Sequence, residues 1–539
     1  MEEKRAKIDK LARDYFGFMA RAYPVICLSD EFYFFPRAKE AIKHLRCLDS
    51  LDEEKIKQDV SYVRTLRQRL EKLSTKELEL ETQIDIQLLR QSMNGFIREF
   101  EQLKSWQNDP NLYLKIVILG IGQVINKLSA FRADVEKELA SRLKQTNRLL
   151  NEARANLKEL PYIRQQTAIR MAKAEIEYLK NGFSLFLRKR RIKKKKFMAL
   201  IGDTIQSLID FKNFLRKKSG TKDSIENREF LEYLLTKNFS YKRSLEEIFE
   251  IATEEYRKTK LQLKKVANHI QPSKSWQKIL SEYKLKVRNR KQLLNLYSDQ
   301  IIRLRDFLIR RGLIGVPKTQ NIQVEQTPIY LEPIRTSASY SCPLTNNQKE
   351  AAFFYVSADG ALENIHQEYI FVTAHETYPG HHLLDSIRRN IKNPIRQQIE
   401  SPLFYEGWAS YAETLVEESG YLNDSRQKLI GLRRQAWRAI RAKLDVGVRI
   451  NKMKLSEAER DLRWLGYSPS RIKAMLQHYL LTPGYQLCYT IGKFEIERLK
   501  KKFAHNMGLK NFHDCLLTGG QLPFDLIERR MQKLCQANS

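Results

Sequence analysis

The strongest constraint on the fold is a long stretch of helical spacing near the start of the chain. Between Asp52 and about Lys104, apolar residues recur at steps of three and four, with no proline and with no glycine before Gly95. Strand side chains alternate with a period of two, so this spacing predicts one long helix or a close pair of helices. Because similar stretches recur without a fixed repeat, the sequence predicts a mostly α fold that is not a solenoid. The further helices are predicted at about 111–157, 162–187, 197–216, 223–237, 243–268 and 275–311.

The character of the sequence changes after Gly312. Residues 318–360 lose the helical spacing and gain β-formers, which predicts two or three short strands or extended segments. We therefore predict a helical region at 1–315 and a second region at 316–539, which can pack as one body. In the second region helices are predicted at about 362–378, 382–391, 402–418, 424–453, 456–464, 468–481 and 485–503, with a last helix starting near Pro523.

The start of the chain and its cysteines predict a cytoplasmic protein. The segment MEEKRAKIDKLARDYF carries charge throughout and has no apolar stretch of the kind that a secretory signal needs. The most apolar run, 112–125, is interrupted by Lys115 and Gln123 and is shorter than the roughly 20 residues that span a bilayer. The six cysteines include no C-x-x-C pair, which indicates reduced thiols.

The net charge of +32 makes nucleic acid, an anionic membrane or acidic peptides candidate partners. The densest basic run is RKRRIKKKK at 188–196. A surface that stacks single-stranded bases requires aromatic residues between its charges, and this run has none. Solvated helix faces and a solvated helix end explain such charge without a polyanion. These partners are therefore not favoured.

Three of the nine histidines fall within the segment HETYPGHH, residues 375–382. His375 directly precedes Glu376, and the segment YEGWA, which contains Glu406, follows some twenty residues later. A His-Glu pair, a second histidine close by and a later glutamate are the components of a zinc hydrolase site.

The spacing of these histidines requires a break in the helix. In an H-E-x-x-H motif the two histidines are four residues apart on one helix face, but the fourth position after His375 is Pro379. On an unbroken helix His381 and His382 would rise about 9 and 10.5 Å beyond His375, too far to share one ion. Pro379 and Gly380 interrupt the helix, so we predict a bulge of two residues that returns His381 to the ligand position.

We assign His375, His381 and Glu406 as ligands of one zinc ion, with a water in the fourth place. His382 is predicted to lie behind the ligands or to replace His381 as a ligand. Glu376 is the predicted general base, which takes a proton from the water and later gives one to the leaving amine. The same ligands accept cobalt, manganese or nickel.

The residues around these positions resemble one known family. HETYPGHH and YEGWASYAE are similar to the signature of the bacterial domain-of-unknown-function 885 family, which is grouped with zincin-type metallopeptidases. The resemblance covers about 325–531 and is faint before it. It implies a mostly helical zincin-like metallopeptidase fold with a small β-sheet or extended segment beside the active-site helix, and a peptidase role. The likeness also includes TSASYSCP, FYVSADG, LLTPGYQLCYTIGKFEIERL and FHDCLLTGGQLPFDLIERRM.

Matching the family's motifs places His375, Glu376, His381 and Glu406 in the metal and base roles. Tyr489 falls in the family's Pro-Gly-x-x-x-x-Tyr-x-x-Gly segment and is our candidate for the phenol that donates to the oxyanion.

Two departures from the family pattern bear on substrate preference. Arg449 stands where relatives tend to have histidine, and His478-Tyr479 stands where they tend to have Arg-Tyr.

The leading prediction is a zinc-dependent peptidase that acts on short peptides. Arg449 or Lys493 could hold a terminal carboxylate and Glu413 could hold an amino terminus, so amino-, carboxy- and dipeptidase action stay open. Residues 351–356 are predicted to form an edge strand that aligns an extended substrate. The helices of region 1–315 are predicted to form the wall of the cleft around the catalytic region, 316–539.

Two other functions compete with this prediction. A non-catalytic helical scaffold would hold a structural metal with a closed fourth ligand, or no metal at all. A basic nucleic-acid-binding protein with a degenerate metal site would bind with a steep salt dependence.

Overall fold

The computed structural model describes residues 2–73, 78–126, 132–189, 192–221, 227–285, 287–318, 321–335, 338–343, 350–357 and 366–537. The first part of the chain forms helices α1 Glu2–Ala22, α2 Pro24–Cys27, α3 Glu53–Glu71, α4 Leu80–Ile97, α5 Ser105–Asn108, α6 Pro110–Asn126, α7 Arg132–Asn156, α8 Tyr162–Glu177, α9 Phe183–Lys189, α10 Met198–Lys217, α11 Arg228–Tyr233, α12 Leu245–Ile270, α13 Trp276–Glu282 and α14 Arg290–Arg311.

Three strands and ten α-helices follow in the described part of the remaining chain. The strands are β1 Ile322–Gln326, β2 Ala338–Ser341 and β3 Ala352–Val356. The helices are α15 Tyr369–Glu376, α16 His381–Arg388, α17 Pro394–Gln398, α18 Pro402–Glu418, α19 Ser425–Gly447, α20 Leu455–Trp464, α21 Pro469–Leu481, α22 Cys488–Met507, α23 Leu509–Thr518 and α24 Phe524–Ala537.

The mostly α prediction is confirmed, and local signals explain where helices begin. The stretch from Asp52 is a pair of helices, α3 and α4, and the Asp52 carboxylate caps α3 by accepting from the backbone N–H of Lys55. Ser244 and Glu247 form a capping box at the start of α12. The predicted helix at 275–311 is two helices, α13 and α14.

The small sheet has the order β1-β3-β2, with β1 parallel and β2 antiparallel to β3. The prediction that residues 351–356 form an edge strand is therefore wrong, because β3 is the central strand. Its nearly continuous apolar run suits a strand that is covered on both faces. The edge strand beside the predicted catalytic helix α15 is β2.

Helices α18 and α22 approach each other closely at two glycines. A Cβ atom on Gly407 would lie 2.5 Å from the Cα atom of Gly492, so neither position has room for a side chain. One cluster of buried apolar side chains extends from Ile8 to Met531 and includes residues of both predicted regions. Among the described residues, no helix is both long and apolar enough to cross a bilayer.

Candidate metal centre

The motif helix stops and restarts between the two histidines. α15 ends at Glu376, and α16 begins at His381 after a turn that contains a cis peptide bond before Pro379. The break differs from the predicted bulge, because the chain leaves one helix and enters another. Gly380 is required here, since a Cβ atom on it would lie 1.8 Å from the carbonyl oxygen of His375. The indole of Trp408 donates to the carbonyl oxygen of Pro379 at 2.8 Å, which joins this turn to α18.

The turn brings three predicted ligands together. His375 Nε2 lies 3.3 Å and His381 Nε2 lies 3.7 Å from Oε2 of Glu406. One ligand atom from each of the three residues lies within 4.8 Å of the others, and all three residues are buried. Donors that share a tetrahedral ion at about 2.1 Å are themselves about 3.4 Å apart, so this buried group could hold a metal ion.

The Glu406 carboxylate has one satisfied and one unsatisfied oxygen. The hydroxyl of Tyr485 donates to Oε1, whereas Oε2 is buried and receives no hydrogen bond from any described residue. A buried carboxylate oxygen without a donor is costly, and a cation between it and the histidines would remove that cost. Burial raises the pKa of Glu406, but the two imidazoles outweigh burial and hold the pKa well below its usual range.

Glu413 fixes the orientation of His375 from behind. Its Oε1 lies 3.2 Å from Nδ1 of His375, and this carboxylate is bound by the guanidinium groups of Arg434 and Arg438 at 2.8 and 2.6 Å. Nη2 of Arg438 also lies 3.1 Å from Nδ1 of His375, and a guanidinium can only donate. The tautomer with its proton on Nδ1, directed at Glu413, is the one that leaves the Nε2 lone pair free for a metal. Burial raises the pKa of Glu413, but the two arginines lower it well below its usual range.

His382 does not join this group of donors. Its side chain is fully buried, packs edge-on against the ring of Tyr378, and has no hydrogen-bond partner for either ring nitrogen among the described residues. Burial lowers its pKa to about 3, so the ring is neutral. The geometry therefore favours His381 over His382 as the second ligand.

Glu376, the predicted base, is half-buried on the wall of the same cavity. The backbone N–H of Tyr340 on β2 donates to its Oε2 at 2.9 Å. Tyr489, the predicted oxyanion donor, lies with its ring parallel to the ring of His375, at 6.2 Å between centroids. The guanidinium of Arg441 lies over the Tyr489 ring at 4.0 Å.

The cavity measures about 210 Å³ and includes residues from both ends of the chain. Residues 30–35, between α2 and α3, form one wall. Arg335 ties this segment to β2, since it pairs with Asp30 at 2.5 Å and donates to the carbonyl oxygen of Tyr340 at 2.8 Å. Sequence reasoning missed this wall, although the cluster of aromatic residues in SDEFYFFP was a signal that could have revealed it.

Three tyrosines that the sequence did not single out, Tyr405, Tyr485 and Tyr33, lie around the ligands. The Tyr405 ring stacks on His381 at 4.0 Å between centroids, and the Tyr33 ring packs against Tyr485 at 4.2 Å. The buried carboxylate of Asp445 accepts backbone N–H bonds from Gly484 and Leu487, which holds the loop that carries Tyr485.

Arg449 and Lys493 do not line this cavity. Arg449 binds the side chain of Asp445 at 3.0 Å, and Lys493 binds Glu255 and Glu497 at 3.0 and 3.1 Å in a separate cleft. The structure therefore places neither residue where the sequence expected a carboxylate-binding cation. Glu413 lies behind His375 rather than at a substrate terminus. The basic run 188–196 falls partly outside the described residues.

The whole chain is similar in fold to two solved bacterial structures. One, from Colwellia psychrerythraea, is described as a "putative lipoprotein"; it is 16% identical, with a TM-score of 0.79 over 98% of this chain and 99% of that one. The other, from Shewanella oneidensis, is described as a "putative lipoprotein of unknown function"; it is 17% identical, with a TM-score of 0.72 and the same coverage. At these identities the likeness shows the fold alone.

No curated protein matches the sequence significantly. A family model does match, over residues 42–531, and it is described as a bacterial protein of unknown function, DUF885. The match spans nearly the whole chain. The protein therefore belongs to the DUF885 family.

Proposed function

We propose that this protein is a zinc-dependent hydrolase that cleaves peptide bonds in short peptides. The observation that supports this most is the convergence of His375, His381 and Glu406 around a buried Glu406 oxygen to which no described residue donates a hydrogen bond. Two imidazoles and one carboxylate form the donor set of open catalytic zinc sites. Zinc bound there would polarise the scissile carbonyl and lower the pKa of water.

The surrounding side chains can supply the remaining chemistry. Glu376 would accept a proton from the attacking water and pass it to the leaving amine. The Tyr340 backbone N–H orients the Glu376 carboxylate. The Tyr489 hydroxyl would donate to the oxygen that becomes negative in the transition state.

The size and edges of the cavity favour short peptides. A cavity of about 210 Å³ walled by residues 30–35 has no room for a folded protein. Because β2 is the edge strand beside α15, it replaces β3 as the candidate for pairing with an extended substrate. In this proposal region 1–315 forms the cleft wall and region 316–539 carries the catalysis.

We keep the cytoplasm as the proposed location. The two proteins of similar fold are described as putative lipoproteins, and a lipoprotein would be anchored at a membrane. Fractionation of the native host with an antibody against this chain distinguishes the two locations.

Metal content and hydrolysis test the proposal together. We expect about one zinc per chain in the wild type by mass spectrometry, loss of that zinc in His375→Ala, and retention in His269→Ala, which alters an exposed histidine on α12. We expect Glu376→Gln to keep zinc and to lose about 10²- to 10⁴-fold of the hydrolysis rate on a peptide library.

Either of two results would contradict the proposal. Absence of zinc from the wild type even after zinc is added, or full hydrolysis by Glu376→Gln, would exclude the assigned site. The scaffold and the nucleic-acid-binding protein would then be the better hypotheses, and salt-dependent binding would test the latter.

A further inference from the structure

A second, smaller cavity beside the metal centre is lined by arginines. It measures about 40 Å³ and lies between the segment after α2, the end of α16 and the end of α17. Arg37, Arg388 and Arg389 all line it. We propose that this cavity is a binding site for a small monovalent inorganic anion of about the size of chloride.

Among the described residues, two of the three guanidinium groups each have one buried nitrogen without a hydrogen-bond acceptor. No described residue accepts a hydrogen bond from the Nη1 atom of Arg37 or the Nε atom of Arg389, and both atoms are buried. Arg388 differs, because it pairs with Asp385 and Glu400, each at 2.9 Å. Both side chains are half-buried. Buried polar nitrogens in proteins are ordinarily hydrogen-bonded, so these two atoms point to a missing acceptor, and an anion would suit their positive charge.

No carboxylate of a described residue accepts a hydrogen bond from these two nitrogens. Glu400 and Asp30 raise the pKa of Arg37, but they are already bound to Arg388 and Arg335. The Cys342 thiol also lines the cavity. Burial raises the pKa of this thiol to about 12, so it is neutral near pH 7.

The size of the cavity limits the ligand. A space of about 40 Å³ accommodates one or a few water-sized atoms. A halide fits this space and needs only N–H donors, which the arginines provide.

The anion site is connected to the metal centre by two contacts. Glu400, which binds Arg388, also lines the metal cavity. Asp385, which binds Arg388 as well, lies 3.4 Å from the hydroxyl of Tyr405, whose ring stacks on His381. An anion held by Arg37 and Arg389 beside the Arg388 ion pairs would therefore change the charge around the side chains that support His381.

Chloride binding can be measured without any assay of activity. The full-length protein, purified in sodium gluconate, is titrated with sodium chloride at constant ionic strength. We expect a saturable rise in Tm, because a ligand that binds only the folded state stabilises it. We also expect saturable broadening of the ³⁵Cl resonance, which bromide reverses by displacement.

Variants locate the site. Arg389→Gln and Arg37→Gln should each raise the half-saturating chloride concentration about tenfold or more, since each removes a charge-assisted hydrogen bond. Arg310→Gln, at an exposed arginine in the last turn of α14, should keep the wild-type response.

Three results would overturn the proposal. They are no saturable response in the wild type, an equal response to gluconate and chloride, and unchanged chloride affinity in both cavity variants. If a variant does not fold, bromide displacement in the wild type still decides whether a halide site exists. Because none of these readouts uses hydrolysis or zinc, they do not depend on the proposed peptidase activity.

Discussion

Oε1 of Glu413 lies 3.2 Å from Nδ1 of His375, on the side of the imidazole ring that faces away from Glu406. Glu413 is seven residues after Glu406 on α18, so both carboxylates project from nearly the same face of one helix, two turns apart. One helix thus provides both a candidate ligand and the group that orients another ligand.

This arrangement predicts the effect of Glu413→Gln. Loss of the carboxylate weakens the hold on the Nδ1 proton of His375, and changes of this kind typically cost 10- to 100-fold in metal affinity. We expect zinc affinity, measured by competition with a chelator, to fall by about that factor. Glu417→Gln, one turn further along α18, should leave the affinity unchanged. Equal affinities in wild type and Glu413→Gln would show that Glu413 does not orient the ligand.

Tyr485 and Tyr489 are four residues apart but predict different defects. Tyr485 donates to Glu406, so Tyr485→Phe should weaken zinc binding. Tyr489 makes no contact of this kind, so Tyr489→Phe should keep zinc and lower the hydrolysis rate by about 10²- to 10³-fold, as loss of an oxyanion donor does. Parallel zinc titrations and rate measurements separate the two effects. If Tyr489→Phe weakened zinc binding and Tyr485→Phe lowered only the hydrolysis rate, the roles assigned to the two tyrosines would be exchanged.

The sequence was sufficient to predict the helical class and the group of three donors. The step from His375 to His381 implied a helix break, because Pro379 and Gly380 stand between them. The break itself, with a new helix at His381, depends on contacts such as Trp408 with the Pro379 carbonyl, which link residues 29 positions apart.

Other features depend on contacts that local sequence does not encode. Arg449 and Lys493 lie near the motif in sequence, but their side chains contact Asp445 and Glu255 instead of the cavity. The wall at 30–35 reaches the site through Arg335, about 300 residues later. Strand order was also unpredictable, because an apolar run such as 352–356 does not specify its neighbours.

The contact of α18 with α22 predicts a large effect of Gly492→Ala. A Cβ atom there would lie 2.1 Å from the carbonyl oxygen of Leu403 and 2.6 Å from Cα of Gly407. Both atoms are backbone, so the helices must separate, at a cost of about 1–3 kcal/mol in the free energy of unfolding. Gly202→Ala is the control, because no described residue has an atom within 4 Å of a Cβ atom there, and it should stabilise α10 by about 0.5–1 kcal/mol. Urea denaturation of both variants tests this, and equal stabilities would contradict it.

His513 predicts how stability depends on pH. Its Nδ1–H donates to the carbonyl oxygen of Leu313 at 2.7 Å, and its Nε2 accepts from the hydroxyl of Tyr411 at 2.8 Å. Burial lowers its pKa to about 4, below the value of about 6.5 in an unfolded chain. Between these two pKa values the unfolded chain binds more protons, so stability falls as the pH drops from about 6.5 to 4. The loss reaches about 3 kcal/mol from this residue alone.

The His513→Gln variant isolates this contribution. Glutamine does not titrate, so the difference in the free energy of unfolding between wild type and His513→Gln should shrink, or change sign, as the pH drops from 7 to 4.5. Urea denaturation of both proteins at several pH values measures that difference at each pH. His44→Gln, at a half-buried histidine between α2 and α3, controls for loss of an imidazole elsewhere. A difference that stays constant over this range would show that His513 does not carry the pH dependence, because linkage requires a different number of bound protons in the two states.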